Sequence, residues 1–202
     1  MRADDLDPRM QRAKELGFTI PAYHGTAAKF NEFDPEKGAA HGAQGYAPYF
    51  ADKQEEAHGY AGKIENGHVM DCLLRIRKPL MIPAREMGEY PARPERVIPA
   101  KLYKAITGGQ GHKESRREME PTVIDALRHA HDVMGHEDKR ANWTTIYDRL
   151  RKLGFDAMVF TNTPSDFQNG TYTKIVMLDM SGIRLTSADF DPAKADTISL
   201  TA

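Results

Sequence analysis

The chain has 202 residues with 28 Lys and Arg against 29 Asp and Glu, and its formal net charge of -1 offers no global attraction to nucleic acid or to a membrane. Its single cysteine, Cys72, excludes an internal disulfide, and no apolar run is long enough for a signal sequence or a membrane span. With 40% hydrophobic and 28% charged residues, the composition is that of one globular domain in a reducing cytoplasm rather than of a disordered chain.

Asp7 as N-cap, Pro8 at the first helical position and Gly17 as a stop predict a short helix over residues 8–16. Residues 18–23 read as a strand whose end delivers His24-Gly25-Thr26 to a turn. Residues 27–45 are rich in Gly, Ala and Lys, with Phe30, Phe33, Asp34 and Pro35 as their anchors, which predicts a loop. Tyr49 follows on a strand. Asp52, with Glu55 three residues later, has the pattern of a helix cap and predicts a helix over 53–61 from which Tyr60 projects.

Across residues 68–82, Met70, Cys72, Leu74 and Ile76 alternate with Asp71, Arg75 and Arg77, the period of a half-buried strand, ending at Lys78-Pro79. Residues 83–141 shift to charged helices, with Val123, Ile124, Leu127 and Ala130 at helical spacing and Gly108-Gly109-Gln110-Gly111 as a break. That pattern reads as a helical insertion within a single domain spanning 1–202. Asn142 caps a helix carrying Ile146, Leu150 and Leu153, Gly154 stops it, and residues 155–160 form a strand. The polar loop 161–173 then leads to a last strand over 174–179.

His129, Asp132 and His136 share one helix face but match no metal-ligand signature, so a solvated face and no metal are expected there. Lys113, Arg116 and Arg117 form a basic cluster of the kind that is ordinarily solvated, with the charge to contact a phosphate-bearing partner such as nucleic acid as its other reading.

The chemistry is concentrated in Tyr23-His24-Gly25-Thr26, Pro48-Tyr49-Phe50-Ala51-Asp52 and Tyr60. A histidine can hydrogen-bond a ribose, the backbone amide of a glycine can meet a carboxamide, and two tyrosines can sandwich a flat ring between them. Nicotinamide is such a ring. Cleaving its bond to ribose passes through an oxocarbenium-like sugar, and positioning the reactants can contribute roughly 7–11 kcal/mol at best.

In order and spacing, with Tyr60 eleven residues beyond Tyr49, these segments resemble the first two motifs of the diphtheria-toxin-like and poly(ADP-ribose)-polymerase-like ADP-ribosyltransferases. The resemblance continues through residues 72–80, 150–157 and 176–184, and similar stretches occur in transferase domains of phage and mobile-element polyproteins, where the pattern at 188–192 also recurs. It covers residues 10–82 and 143–192 and leaves the insertion uncovered.

This resemblance implies an α+β fold of split antiparallel β-sheets around an NAD cleft, with flanking helices. It implies NAD as co-substrate, release of nicotinamide, and transfer of ADP-ribose to a macromolecular or small-molecule acceptor in a bacterial host cytoplasm, as a toxin or effector would do. His24 would bind the adenosine ribose, Gly25 would clamp the carboxamide, and Tyr49 and Tyr60 would stack on nicotinamide, with Thr26 and Phe50 completing the cofactor-binding motifs. Where such families place Glu or Gln at the start of the last strand, this chain has Lys174, and Asp166 and Gln168 are the nearest substitutes. Ala57 stands where the family often has a serine.

The absence of that glutamate favours transfer of a single unit over a polymer. Tyr172 and Thr173 stand where arginine-modifying toxins tend to carry an extra Glu or Gln, which argues against an arginine acceptor. The alternatives are an inactive NAD-binding relative, an NAD glycohydrolase, and a partner-binding module of a phage polyprotein from which this chain could be excised.

Overall fold

The computed structural model describes residues 8–33, 47–83, 98–109, 123–134 and 139–187. Helix α1 (Pro8–Glu15) stops where Gly17 takes a φ of 87°, a left-handed backbone that favours glycine. Its expected cap, Asp7, lies outside the described residues.

Strand β1 (Ile20–Thr26) runs antiparallel to β3 (His68–Leu74) in unbroken register from Ile20↔Leu74 to Thr26↔His68. His24, Gly25 and Thr26 therefore lie on a strand and not in the turn that the sequence suggests. The reason is long-range: β3 offers each of them a ladder partner.

The single strand expected over 68–82 is two strands. The Asp156 carboxylate accepts hydrogen bonds from the main-chain N–H groups of Arg77 (2.6 Å) and Lys78 (3.0 Å), and Arg75 N–H donates to the Gly182 carbonyl. These contacts swing the chain out of β3, and it resumes as β4 (Pro79–Pro83) parallel to β5 (Ala157–Pro164). A parallel pair needs a long crossover, along which lie α3 (Ala100–Thr107), α4 (Val123–Val133) and α5 (Lys139–Lys152).

With β2 (Tyr49–Ala51), β6 (Thr171–Met177) and β7 (Ile183–Leu185), the strands form a seven-stranded sheet ordered β4-β5-β6-β2-β1-β3-β7. Every neighbouring pair except β4 and β5 is antiparallel. The class is α+β. The register between β1 and β2 consists of one pair, Tyr23↔Ala51, so the sheet divides there into two halves, and the split implied by the resemblance takes the form of a seam.

One face of the sheet, with Leu80, Ile82, Met158, Phe160 and Val176, packs against Ile106, Leu127, Ala130, Ile146 and Leu150 of the helices. The helices from the region of the expected insertion thus share their core with the sheet. The other face gathers Ala22, Phe50, Leu74, Val159, Ile175, Met177 and Ile183 from both halves. A β-carbon at Gly182 would come 2.7 Å from Met177 Cε, although β6 and β7 are four ladders apart, so the sheet curls over this second cluster.

Two expected caps are otherwise engaged. Helix α2 (Gln54–Ala61) starts after Lys53 with no side-chain cap, because the Asp52 carboxylate accepts from Thr173 N–H (2.8 Å) and ties β2 to β6. Asn142 lies inside α5, buried, and its Nδ2 donates to the His131 carbonyl of α4 (3.1 Å). Gly108, at φ 71°, closes α3. The expected loop 161–173 is a hairpin whose tip is residues 165–170, bulged between Phe160 and Thr163 with Asn162 at φ 56°. Asp34, Pro35, Gln110, Gly111, Lys113, Arg116, Arg117 and residues 188–192 lie outside the described residues.

Candidate active site

The seam has a defined phase. Met177 N–H donates to the Pro48 carbonyl (3.1 Å) and Asp52 N–H to that of Thr173 (3.2 Å), so alternation along β2 turns the main-chain groups of Tyr49 and Ala51 toward β1. Thr186 N–H donates to the Asp71 carbonyl (3.0 Å), which sets β3 and, through its register, β1: the main chain of His24 faces β3, while those of Tyr23 and Gly25 face β2. Continuing the ladder beyond Tyr23↔Ala51 would pair Gly25 with Tyr49, but the register ends before that pair.

A side chain takes up the slack. His24 Nδ1 lies 2.7 Å from the Tyr49 carbonyl oxygen. A carbonyl only accepts, so Nδ1 carries the proton, and the neutral ring presents Nε2 as an acceptor. Burial lowers the pKa of His24 from the ordinary imidazole value, opposed by the bond to the Tyr49 carbonyl and reinforced by His68. The ring is therefore neutral at pH 7, packed by Phe33 and Phe50 with centroids at 5.1 and 5.4 Å, and further off by Phe30.

Gly25 is where α2 meets the strand. A β-carbon there would come 2.5 Å from the Ala57 carbonyl oxygen and 3.1 Å from Ala61 N, so the helix packs directly on bare backbone. The N–H and C=O of Gly25 remain turned to the seam. Thr26 Oγ1 accepts from Ala28 N–H (3.1 Å) and stabilises the turn that follows β1. Phe50, 2% exposed, supports the His24 ring from the second cluster, on the face opposite Tyr49.

Tyr49 points to the helical face, where its hydroxyl is 3.1 Å from that of Tyr147 on α5. Burial, then Tyr147 and lastly Tyr60, push its phenol well above the usual range, so it stays protonated. Tyr60, from α2, is 54% exposed, the most exposed large apolar side chain among the described residues. It therefore presents its ring to solvent.

Lys174 pairs with Ala51 on one side and Phe160 on the other. Its Nζ stands 5.5 Å from the Tyr49 ring centroid and 4.9 Å from that of Phe160, both on the same sheet face. Burial lowers its pKa, with Asp166 acting in the opposite sense. Asp166 is exposed at the hairpin tip. Gln168 is turned elsewhere: its N–H donates to Ser165 Oγ (2.9 Å) and its Nε2 lies 3.5 Å from Glu56 Oε1.

Two participants carry no motif. Glu56, 4% exposed and one helical turn before Tyr60, accepts from Ser165 Oγ and so fastens the hairpin tip to α2. A methyl group at Gly59 would overlap the Phe167 ring, so the tip also packs on that glycine. The i, i+4 spacing from Glu56 to Tyr60 is the one sequence signal for the first. Tyr147, the second, belongs to the stripe Trp143, Ile146, Tyr147 and Leu150, which reads as core.

The structure thus gathers His24, Gly25, Tyr49 and Lys174 around the seam, with Tyr60 on α2 beside it, and holds Gln168 against Glu56. Among the described residues no group of three or more His, Cys, Asp or Glu side chains could hold a metal. His129 stacks on Tyr103, whereas the Asp132 side chain and His136 lie outside the described residues. No described helix is long and apolar enough to cross a membrane.

A family model described as ADP-ribosyltransferase in polyvalent proteins matches residues 15–185. No curated protein and no solved structure matches the chain.

Proposed function

Because the chain belongs to the family of ADP-ribosyltransferases in polyvalent proteins, we propose that it binds NAD at the seam between β1 and β2 and transfers a single ADP-ribose unit to an acceptor, releasing nicotinamide. The observation that carries this reading is the His24 Nδ1 contact with the Tyr49 carbonyl (2.7 Å), which fixes the imidazole tautomer and engages that carbonyl where the paired register has ended at Tyr23↔Ala51.

Nε2 of His24 accepts a hydrogen bond from a hydroxyl of the adenosine ribose. The Gly25 N–H donates to the carboxamide oxygen, and its C=O accepts from the carboxamide N–H. Tyr49 and Tyr60 flank the nicotinamide ring, and these contacts hold the leaving group still while positive charge moves onto the ribose. The Asp166 carboxylate, whose field reaches Lys174 and Tyr172, supplies negative charge on the ribose side. The single cysteine, buried and unpaired, suits the reducing cytoplasm of a bacterial host.

The test is incubation with NAD labelled in its ADP-ribose portion and a bacterial lysate, with release of nicotinamide measured in parallel. His24→Ala and Tyr49→Ala are expected to lose both signals. Label that persists equally in both variants would place the site elsewhere. Lys174 favours one second reading, NAD held without turnover, because an ammonium beside a developing oxocarbenium ion is unfavourable. In that case NAD binds and no nicotinamide appears.

A further inference from the structure

Lys174 sets a primary amine on the same sheet face as Tyr49. Its Nζ lies within 5.5 Å of the Tyr49 ring centroid, with Phe160 on its other side. Other lysines near the hairpin are engaged away from this face: Lys53 Nζ donates to the Thr171 carbonyl (2.6 Å), and Lys63 Nζ sits 4.4 Å over the Phe167 ring. Removal from water lowers the proton affinity of the Lys174 amine, so more of it is the free base at neutral pH than of an exposed lysine. A desolvated amine beside an electrophilic carbon is how nucleophilic lysines are made.

We propose that Lys174 is a modification site of this chain, its Nζ accepting ADP-ribose from NAD bound at the seam. The inference rests on the NAD reading given above. With nicotinamide against Tyr49, the ribose carbon it leaves is adjacent to the ring, within reach of the flexible lysine stem. The bond between ribose C1 and the nicotinamide nitrogen breaks, and its electron pair leaves with neutral nicotinamide. The Nζ lone pair forms the new C–N bond, and the proton it sheds passes to Asp166 or to water. The products are nicotinamide, one proton and a chain bearing a single ADP-ribose on a secondary amine, so no oxidant or further reactant is required. The adduct caps the one described lysine on this face beside Tyr49, so each chain is modified once.

The experiment incubates the full chain alone with NAD labelled in its ADP-ribose portion. It measures nicotinamide release and NAD binding, then maps label by peptide mass spectrometry. Label on Lys174, in amounts equal to the nicotinamide released and blocking tryptic cleavage there, is the expected result. Lys174→Met and Lys174→Gln, each checked for folding by thermal unfolding, should lose it. Nicotinamide release with the label elsewhere, or with none on the chain, overturns the proposal and leaves the NAD reading standing. NAD bound without release also overturns it, and failure to bind NAD at all overturns both. Equal labelling of Lys174 by free ADP-ribose would show simple glycation and overturns it too.

Discussion

The phenol oxygens of Tyr49 and Tyr147 stand 3.1 Å apart although 98 residues separate them along the chain. Helix α5 thereby braces an aromatic wall of the site from behind. Tyr147→Phe keeps the ring and removes that hydrogen bond, at an expected cost of about 0.5–1.5 kcal/mol. Combined with Tyr49→Phe in a double-mutant cycle read by denaturant unfolding, it should show a coupling of similar size. Strict additivity of the two variants would refute the brace.

Gly25→Ala is expected to separate steric from chemical roles at the seam. The added methyl would meet the Ala57 carbonyl oxygen at 2.5 Å, and that oxygen belongs to helix backbone that cannot easily yield. A destabilisation of about 1–3 kcal/mol follows, with α2 displaced and NAD affinity lost. A urea titration and an NAD titration of the same variant check both, and unchanged affinity would count against the packing of α2 on β1 as a condition of binding.

The placement of Tyr49 and Tyr60 in the candidate site was legible in the sequence because it is local: they sit on one strand and the helix that follows it, and eleven residues fix their spacing. What was not legible depends on distant partners. His24 joins a strand and not a turn because β3 extends to His68. The alternation across 68–82 conceals a break made by Asp156, which lies some eighty residues further on and captures two amides. Asp52 and Asn142 have the chemistry of helix caps, yet a neighbouring strand and a neighbouring helix claim their side chains first. Glu56 gave only its i, i+4 spacing to Tyr60 as a signal, because a glutamate early in a helix reads as a surface residue until Ser165 arrives against it.

Acid should weaken both stability and binding through His24. Its folded-state pKa lies below the ordinary value, so between the two the unfolded chain binds more protons. Stability therefore rises with pH across this window, and the contribution is lost as pH falls below about 6.5. Protonated Nε2 also ceases to accept a hydrogen bond. His24→Gln should flatten the acid limb of a stability-versus-pH curve, and an unchanged slope would mean that the imidazole is not held neutral.

Glu56→Ala is expected to loosen the hairpin tip without unfolding the domain. The variant removes the acceptor that fastens Ser165, and through it the amides of Phe167 and Gln168. A local loss of about 1–3 kcal/mol is expected for a charged hydrogen-bond partner. Hydrogen exchange should quicken at those two amides while the amides of β5 stay protected, and Glu56→Gln should restore part of the protection. Uniform quickening across the sheet would instead mean global destabilisation.

The groups by which Gly25 faces the seam are an N–H and a C=O, and an N–H and a C=O are found in almost every residue. Substitution can obstruct them but cannot remove the carbonyl, and only proline would remove the hydrogen. What they depend on is parity: odd positions of β1 turn one way and even positions the other. A single residue inserted between Ile20 and Tyr23 would leave every motif intact and still reverse that parity, turning the Gly25 groups into the β3 ladder and abolishing the grip. Beyond the bare backbone that α2 requires at Gly25, it is therefore the count of residues along β1, more than their side chains, that this half of the site depends on.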